Sequence, residues 1–336
     1  MKVMFDGRLL KSKPSGVRDI AVGLSKGLRA LEGEGRLDLI VAGSPGADSC
    51  DLQIESRGFM HFGLPRAARQ KGADRILVPR QTIPIISKIP IVPVFHDIGF
   101  LRLPEKYRRN FVRDFTTKMA GKTSTSLAVS EYTANEVSEY GFPVSITPLP
   151  IQAIHDIRWA PVYDDPYILC VAAHEPHKNL VGLVRAWKAA DIHDARLIIC
   201  GRSGVETTAL MAAIDTENIE RIELVANLED EAYEELLSGC VGYIQPSFDE
   251  GLCIPALDLA AAGAPTAVSS LGNLGYIYSK GGAEVFDPYS IEEMAKHLNR
   301  LLYDESFKRA IISWNKSNIS LTDWREVANV ALGAMS

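Results

Sequence analysis

The sequence predicts an α/β protein of two domains, each built around a parallel β-sheet. Its 336 residues exceed the roughly 100 to 200 residues of a typical domain, so about two domains are expected. Short apolar runs without alternation are separated by helical patterns, which is typical of strands buried on both faces and covered by helices. The halves also differ in charge: residues 1–158 hold 23 Lys and Arg against 16 Asp and Glu, a net of +7, and the remainder carries −13.

Apolar or β-branched runs predict six strands in the first half. These strands are Lys2 to Phe5, Leu37 to Val41, Arg75 to Val78, Ile91 to Phe95, Ser126 to Val129 and Val144 to Pro148. Helical periodicity predicts three helices, at Gly16 to Leu31, Pro104 to Ala120 and Glu131 to Tyr140. The stretch from 151 to 166 is rich in Pro and Asp and has the composition of a linker.

The second half shows the βαβα order more clearly. Its predicted strands are Tyr167 to Ala173, Arg196 to Cys200, Ile222 to Val225, Gly242 to Gln245 and Ala264 to Val268. Its predicted helices are Lys178 to Ala190, Thr207 to Asp215, Asp230 to Ser238, Pro255 to Ala262 and Ile291 to Leu302. We therefore expect domains at 1–158 and 159–320, with a C-terminal helix in 321–336 that can cross back to the first domain.

Several classes of protein are disfavoured by composition and motif. The longest apolar stretch, Ile83 to Phe95, is interrupted by prolines and is too short to span a bilayer. Five cysteines, an odd number, suit a reducing cytoplasm. The chain has no G-x-G-x-x-G after a strand, no P-loop and no C-x-x-C pair, and Lys178 occupies the place of the second His of H-E-x-x-H. Dinucleotide, P-loop and metal-dependent chemistry are therefore weaker interpretations, and no metal site or cofactor is expected.

Two segments carry candidate chemistry, each between a predicted strand and a helix. In the segment from Pro246 to Gly263, backbone amides at the start of a helix can bind an anion, and Glu250 and Asp258 flank the turn. Alternatively, Glu250 is an acid near the N-terminal cap of the helix, and Asp258 is a solvated helix residue. In the segment from Val171 to Asn179, Lys178 can neutralise phosphate oxygens, or it is a surface lysine at a helix start.

The first half contributes a strand-end histidine and a basic helix. His96 follows an apolar strand and precedes Asp97, so it either faces a cleft or is a satisfied core residue. The segment from Pro104 to Lys122 places Tyr107, Phe111, Phe115 and Met119 at a spacing of four among basic residues. This pattern suits an anionic membrane surface, but the same stripe would serve to pack the helix on its own sheet.

Taken together, the segments resemble the retaining GT-B glycosyltransferases of family 4. The resemblance rests on Lys178-Asn179 after Glu175-Pro176, followed by the Pro-Ser-x-x-Glu-Gly segment that begins at Pro246. Val94 to Ile98 and Ser130 to Thr133 match the family's "HD" and "SE(F/Y)" signatures, and Ser15-Gly16-Val17 resembles its glycine-rich turn. The match covers nearly the whole chain. It implies two Rossmann-like domains whose parallel sheets face across a cleft.

The resemblance also implies roles for individual residues. Glu250 would bind the transferred sugar, Lys178 the diphosphate, and His96 would meet the sugar. The donor would also contact the backbone amides of Gly251, Leu252, Cys253 and Ile254 and the glycine-rich turn at Gly16. His177, a titratable residue in place of Arg, and the neighbouring Arg202 would contact it through their side chains. Asp258 replaces the second Glu of the E-x7-E motif. Because its side chain is one methylene shorter, its hydrogen bond to a ribose is expected to be lost or mediated by water. Ala172 replaces a second Arg, and the family's proline-glutamate pair is missing near Gly275.

The predicted function is metal-independent transfer of a hexose, mannose-like, from a nucleotide diphosphate sugar such as GDP-mannose. The acceptor would be a saccharide or lipid-linked molecule of bacterial surface polysaccharide synthesis, bound by the first domain. We expect a cytoplasmic enzyme, peripheral at the inner face of the membrane if the basic helix binds lipid, with no nucleic acid partner. The departures leave two alternatives: an idle nucleotide-sugar-binding relative that partners another transferase, and a hydrolase or epimerase of nucleotide sugars.

Overall fold

The computed structural model describes residues 1–46, 50–55, 58–216 and 221–336. They form two compact units. The first contains Met1–Arg102, Arg108–Ile151 and Thr322–Ser336, and the second contains Leu103–Tyr107 and Gln152–Leu321. The short segment Leu103–Tyr107 therefore groups with the second unit although both of its chain neighbours belong to the first, which nothing in the sequence predicted.

The first unit is built on a seven-stranded parallel sheet. Its strands are β1 (Lys2–Asp6), β2 (Asp38–Gly43), β3 (Leu52–Gln53), β4 (Arg75–Val78), β5 (Ile91–Phe95), β6 (Thr125–Ala128) and β7 (Ser145–Pro148). Their order across the sheet is β3-β2-β1-β4-β5-β6-β7, with Met4 of β1 opposite Ile40 on one side and Ile76 on the other. The direction of the order reverses between β1 and β4, which makes the ends of these two strands a topological switch point.

Helices cover this sheet and begin at polar caps. They are α1 (Gly16–Gly33), α2 (Leu64–Gln70), α3 (Gly99–Arg102), α4 (Phe111–Ala120) and α5 (Glu131–Glu139), with a 3₁₀ helix at Gly7–Lys11 and a π-helical turn at Phe59–Gly63. The side chains of Ser15, Asn110 and Ser130 each accept a hydrogen bond from a first-turn amide of α1, α4 and α5 respectively. The sequence had not predicted β3, α2 or α3.

A C-terminal helix, Trp324–Met335, packs against α1 in the same unit. The close approach depends on two glycines of α1. A Cβ at Gly23 would lie 2.1 Å from the Trp324 ring, and a Cβ at Gly27 would lie 1.9 Å from the Trp324 carbonyl oxygen. Arg325 adds a fork of two hydrogen bonds to the Glu34 carboxylate, at 2.6 and 3.0 Å.

The second unit has a five-stranded parallel sheet. Its strands are β8 (Tyr167–Val171), β9 (Arg196–Cys200), β10 (Ile222–Val225), β11 (Gly242–Gln245) and β12 (Thr266–Val268), in the order β10-β9-β8-β11-β12. Its helices are α6 (Leu180–Ala190), α7 (Thr207–Thr216), α8 (Asp230–Gly239), α9 (Ile254–Ala262), α10 (Gly272–Lys280), α11 (Ile291–Tyr303) and α12 (Glu305–Asn318), with 3₁₀ helices at Pro104–Lys106 and Pro176–Lys178. α10 and α12 had not been predicted. The order reverses between β8 and β11, so their carboxyl ends form the switch point of this sheet.

The helix predicted from Pro104 to Ala120 is not continuous. Pro104–Lys106 forms a single 3₁₀ turn, Tyr107 is extended, and α4 begins only at Phe111. Asn110 stops the helix from extending backwards because its side chain caps the Arg113 amide at 3.1 Å. Tyr107 therefore does not share a helical stripe with Phe111. The packing alternative is also wrong for the two phenylalanines of α4, because Phe111 is 88% and Phe115 52% exposed.

Candidate functional site

The loops that follow β8 and β11 lie side by side at the carboxyl edge of the second sheet. The strands are neighbours in the sheet, with Leu169 opposite Tyr243, so residues 172–179 and 246–253 leave the edge together. Ligands of doubly wound sheets bind at such an edge, where the strand order reverses. Both segments that the sequence singled out for chemistry are therefore at one site.

Asn179 joins the two loops. Its backbone adopts a left-handed conformation, φ 56°, which Asn tolerates better than most residues. Its buried side-chain amide donates to the carbonyls of Pro246, at 3.2 Å, and Pro288, at 2.7 Å. The Phe248 amide donates to the His177 carbonyl at 2.8 Å. These contacts hold the Lys178 turn against the Glu250 loop.

Lys178 and Glu250 form an ion pair at the centre of the site. Lys178 Nζ donates to Glu250 Oε1 at 2.7 Å, and the two side chains are only 17% and 14% exposed. The same Oε1 accepts from Ser247 Oγ at 3.0 Å and from Gln245 Nε2 at 3.1 Å. Glu250 Oε2 accepts no hydrogen bond from the residues that the structure describes, so this oxygen is the one available to a sugar hydroxyl.

A chain of buried donors supports the Glu250 carboxylate. Tyr243 Oη donates to Gln245 Oε1 at 2.5 Å, which turns the Gln245 amide nitrogen toward Ser247 and Glu250. Burial raises the pKa of Tyr243 well above its ordinary value, so the phenol keeps the proton that it donates. Sequence reasoning missed Gln245 and Ser247, although Gln245 ends the strand that precedes Glu250 and Ser247 follows two residues later.

The segment Gly251 to Ile254 leads into the amino end of α9. Cys253 is left-handed, φ 62°, and Ile254 begins the helix with Pro255 next to it. First-turn amides of a helix lack partners within the helix and favour anions. Burial, helped by nearby Glu250, raises the pKa of Cys253 well above its ordinary value, so the thiol stays protonated and is no nucleophile.

The missing proline-glutamate pair is replaced by the start of α10. Gly272, with φ 70°, lies so close to the loop that a Cβ would be 2.7 Å from the Glu250 amide nitrogen. The Asn273 amide donates to the Glu250 carbonyl at 2.8 Å. Gly275 lies inside α10, where a Cβ would meet the Ser270 carbonyl group at 2.2 Å. Gly272 and the Asn273 amide thus support the Glu250 backbone, and Gly275 lets α10 pack closely on Ser270.

Asp258 is not a solvated helix residue, because it is 1% exposed. Its Oδ1 accepts from the amides of Ile154, at 2.7 Å, and His155, at 3.1 Å. His155 Nδ1 donates to Oδ2 at 2.7 Å. The carboxylate that was expected to meet a ribose therefore fixes the segment that enters the second unit from residue 152, and that segment is outside the sequence motif.

A short segment from the first half of the chain packs on the same loops. The Tyr107 ring stacks on the His177 ring, with centroids 4.2 Å apart and planes 9° apart. Tyr107 Oη donates to the buried Asp249 carboxylate at 3.0 Å. Lys106 Nζ lies 4.2 Å from the centroid of the Phe248 ring, a cation–π geometry. His177 is thus covered by an aromatic ring.

Arg202 follows β9 and is exposed. Its carbonyl accepts from the amide of buried His174 at 3.1 Å, which places its backbone beside the loop after β8. Ala172 is buried, and a Cβ at Gly201 would lie 1.9 Å from the Ala172 carbonyl.

Gly16 and His96 belong to the first unit. Gly16 is exposed at the first position of α1, after the cap Ser15. His96 Nε2 donates to the Pro79 carbonyl at 2.9 Å, and the His96 carbonyl accepts from Thr133 Oγ1 at 3.4 Å. A carbonyl can only accept, so Nε2 carries the proton and Nδ1 has the lone pair. Burial lowers the pKa of His96 to about 4, so the ring is neutral at pH 7.

The residues that the structure describes form neither a metal-binding cluster nor a membrane-spanning helix. Among residues 1–46, 50–55, 58–216 and 221–336, no group of three His, Cys, Asp or Glu side chains is placed to hold a metal ion. Within the same ranges, no helix has the length and apolar content needed to cross a membrane.

Solved structures define the class of fold. The chain superposes on sucrose-phosphate synthase from Thermosynechococcus elongatus with a TM-score of 0.75, at 14% identity over 98% of this chain and 96% of that one. WaaG, a glycosyltransferase involved in lipopolysaccharide biosynthesis, gives a TM-score of 0.72, at 12% identity over the full length of both chains. The predicted α/β class with two parallel sheets is confirmed, and the fold is that of GT-B glycosyltransferases.

Sequence comparisons identify the second half more narrowly. Residues 154–317 match the family described as "Glycosyl transferases group 1", so this part of the chain carries a group 1 glycosyltransferase domain. The chain is 22% identical over 269 residues to O-antigen chain mannosyltransferase B of Escherichia coli, covering 72% of this chain and 69% of that protein. It is also 22% identical to the serotype-specific mannosyltransferase WbdA of Escherichia coli, of which it spans only 32%.

Proposed function

We propose that this protein transfers a hexosyl group from a nucleotide diphosphate sugar to a saccharide or lipid-linked acceptor. The observation that carries the proposal is the Lys178–Glu250 pair beside the start of α9. An ammonium group has three N–H donors, so Lys178 can contact Glu250 and a diphosphate together. The first-turn amides of α9 add donors, and Glu250 Oε2 can accept a sugar hydroxyl.

The proposed chemistry is front-face displacement with retention. The departing diphosphate gains negative charge, which Lys178 and the amides of Gly251 to Ile254 stabilise more strongly than in the ground state. The same diphosphate accepts the proton of the attacking hydroxyl, so no enzymic nucleophile is needed. Lys178 and the amides supply the charge that a divalent cation would otherwise supply, which supports transfer without a metal.

The comparisons support a mannose-like sugar and a role in polysaccharide synthesis. The sequence relatives are named as O-antigen mannosyltransferases, so GDP-mannose is the first donor to test. We place the acceptor on the first unit and the protein in the cytoplasm, at the inner face of the membrane. The exposed Phe111 and Phe115 of α4, with the basic residues around them, support a peripheral membrane surface.

Two observations favour a second candidate, an idle nucleotide-sugar-binding relative that partners another transferase. The Asp258 carboxylate already accepts three hydrogen bonds from Ile154 and His155, and a ribose would have to compete with them. Ala172 also lacks the positive charge that some relatives place beside the phosphates.

A thermal-shift screen separates these functions. The purified protein is heated with GDP, UDP, dTDP and ADP and their sugar conjugates, in EDTA and then with Mg²⁺. A ligand that binds only the native state raises the unfolding midpoint by mass action. We expect a selective rise that EDTA leaves unchanged, followed by release of nucleoside diphosphate when acceptor extracts are added. A selective rise with no release would favour the idle relative, and no rise at millimolar nucleotide would refute donor binding.

A further inference from the structure

The switch point of the first sheet carries two arginines and one carboxylate. Asp6 ends β1, Arg8 follows it, and Arg80 follows β4. Because β1 and β4 are neighbours, these residues leave the carboxyl edge of the sheet together, at the place where its order reverses. No residue of this cluster was singled out by the sequence motifs.

Arg8 neutralises Asp6 by itself. The Asp6 side chain is fully buried and receives a fork from Arg8, with Nε at 2.9 Å from Oδ1 and an Nη at 2.7 Å from Oδ2. The Arg8 guanidinium also lies 4.6 Å from the centroid of the Phe59 ring. A bidentate pair of this kind satisfies one positive and one negative charge. The pair carries no net charge, so it does not balance the charge of a second arginine.

Arg80 is that second arginine. Its side chain makes no hydrogen bond or ion pair with the residues that the structure describes, and its Nε is buried. Burial and the neighbouring Arg8 lower the pKa of Arg80, while Asp6 acts in the opposite direction. A largely buried guanidinium without a partner is costly. Such a group suits a site in which an anion completes the charge balance.

The Arg80 backbone is held in place from both sides. The Pro79 carbonyl accepts from His96 Nε2 at 2.9 Å. Gln81 Nε2 donates to the Asp97 carbonyl at 3.1 Å, and the Arg80 amide closes a tight turn onto the Val78 carbonyl at 2.7 Å. The loop after β4 is thus fixed to the loop after β5. A guanidinium on a fixed loop is preorganised for a ligand.

We propose that Arg80 forms the binding subsite for an oxyanion of the acceptor, either a phosphate or a carboxylate. The proposal rests on the glycosyl transfer proposed above and specifies the chemical class of its acceptor. A planar guanidinium binds both anions through paired N–H donors. His96 and Gln81 are positioning residues for this subsite, because they hold the loop and leave the anion to Arg80.

The test uses the full chain and three probes that separate the sources of the anion. Glucose 1-phosphate represents a soluble sugar phosphate, farnesyl phosphate in neutral detergent represents a lipid phosphate, and glucuronate represents a sugar carboxylate. Binding is measured from the unfolding midpoint in wild type, Arg80→Gln and Arg75→Gln. Arg75 starts β4 at the opposite end of the strand, so its variant removes the same charge far from the subsite.

We expect at least one probe to bind wild type and Arg75→Gln equally and Arg80→Gln at least tenfold more weakly. Without any probe, Arg80→Gln should unfold about 2 °C higher than wild type, because it removes an uncompensated buried charge. A purely structural arginine would give the opposite shift. Equal binding of all probes to the two variants, or a lower midpoint for Arg80→Gln, would overturn the inference.

A nucleoside diphosphate control keeps this inference distinguishable from the proposed function. Arg80→Gln should keep the full midpoint rise with the nucleotide that stabilises wild type, because that ligand is assigned to the second unit. If the nucleotide stabilises wild type and none of the three anions does, the oxyanion subsite is refuted while glycosyl transfer stands.

Discussion

The sharpest test of the site is Lys178→Ala. The substitution removes the ammonium group that lies 2.7 Å from Glu250 Oε1. At an effective dielectric constant near 20, that attraction is about 6 kcal/mol before desolvation is subtracted. Ser247 and Gln245 still donate to Glu250 after the change, and both charged side chains retain some solvent contact. We therefore expect a loss of about 2 kcal/mol of stability, below the 3 to 5 kcal/mol of a fully buried pair.

The expected loss of activity is larger than the loss of stability. If Lys178 stabilises the departing diphosphate, its removal should lower turnover by two or more orders of magnitude, which corresponds to about 2.7 kcal/mol or more. The assay is release of nucleoside diphosphate at saturating donor, under conditions where circular dichroism shows the variant folded. Lys188→Ala, which removes an exposed charge from α6, is the matched control. Turnover of Lys178→Ala within threefold of this control would refute the role.

Three further predictions concern packing, protonation and the linker. Gly27→Ala should destabilise the protein by about 2 kcal/mol in urea unfolding, because its Cβ would lie 1.9 Å from a backbone oxygen of the C-terminal helix. The control Gly33→Ala, with open space around it, should be neutral or stabilising. Equal effects of the two substitutions would contradict this packing. The pKa of His96 is about 4 in the folded protein and near 6.5 unfolded, so the unfolded chain takes up a proton first as pH falls. Wild type should lose about 2 kcal/mol between pH 7.5 and pH 5 that His96→Asn does not lose, and parallel curves would argue against a buried neutral ring. Asp258→Ala should lower the free energy of unfolding by about 3 kcal/mol, because two backbone amides and an imidazole lose a charged acceptor. The control Asp156→Ala, on the exposed part of the segment that Asp258 holds, should change it by under about 0.5 kcal/mol. Similar losses in the two variants would show that Asp258 does not fix this segment.

Local patterns predicted the second sheet well. β9, β10 and β11 begin and end at the predicted residues, because each is a short, mostly apolar or β-branched run between helical patterns. The placement of Lys178 and Glu250 after two predicted strands also followed from the alternation of strands and helices, whereas the pairing of β8 with β11 is seen only in the folded sheet. By contrast, α10 was missed, since its glycines give a weak helical signal. Gly272 is needed for the close approach of α10 to the Glu250 loop, and Gly275 for its close approach to Ser270. Both requirements arise only in the folded chain.

The predicted helix from Pro104 failed for a related reason. Periodicity was regular from Tyr107 to Met119, but Tyr107 bonds to Asp249, 142 residues later in the chain. That distant contact, with the stack on His177, fixes Tyr107 in an extended conformation outside the helix. Tertiary packing overrode a local preference that was worth only a few tenths of a kcal/mol per residue.

The sequence by itself determined the α/β class, most strand positions and the two loops that carry Lys178 and Glu250, because apolar runs and helix caps act between near neighbours. Only the tertiary structure decided that Asp258 binds Ile154 and His155, which lie 104 and 103 positions earlier. It also decided that Arg80, beside the Asp6–Arg8 pair, has no hydrogen-bond or ion-pair partner among the residues that the structure describes. Partners of this kind depend on which strand ends and helices meet. The burial of a side chain and the charges around it depend on which distant segments pack together, and no local sequence pattern encodes that.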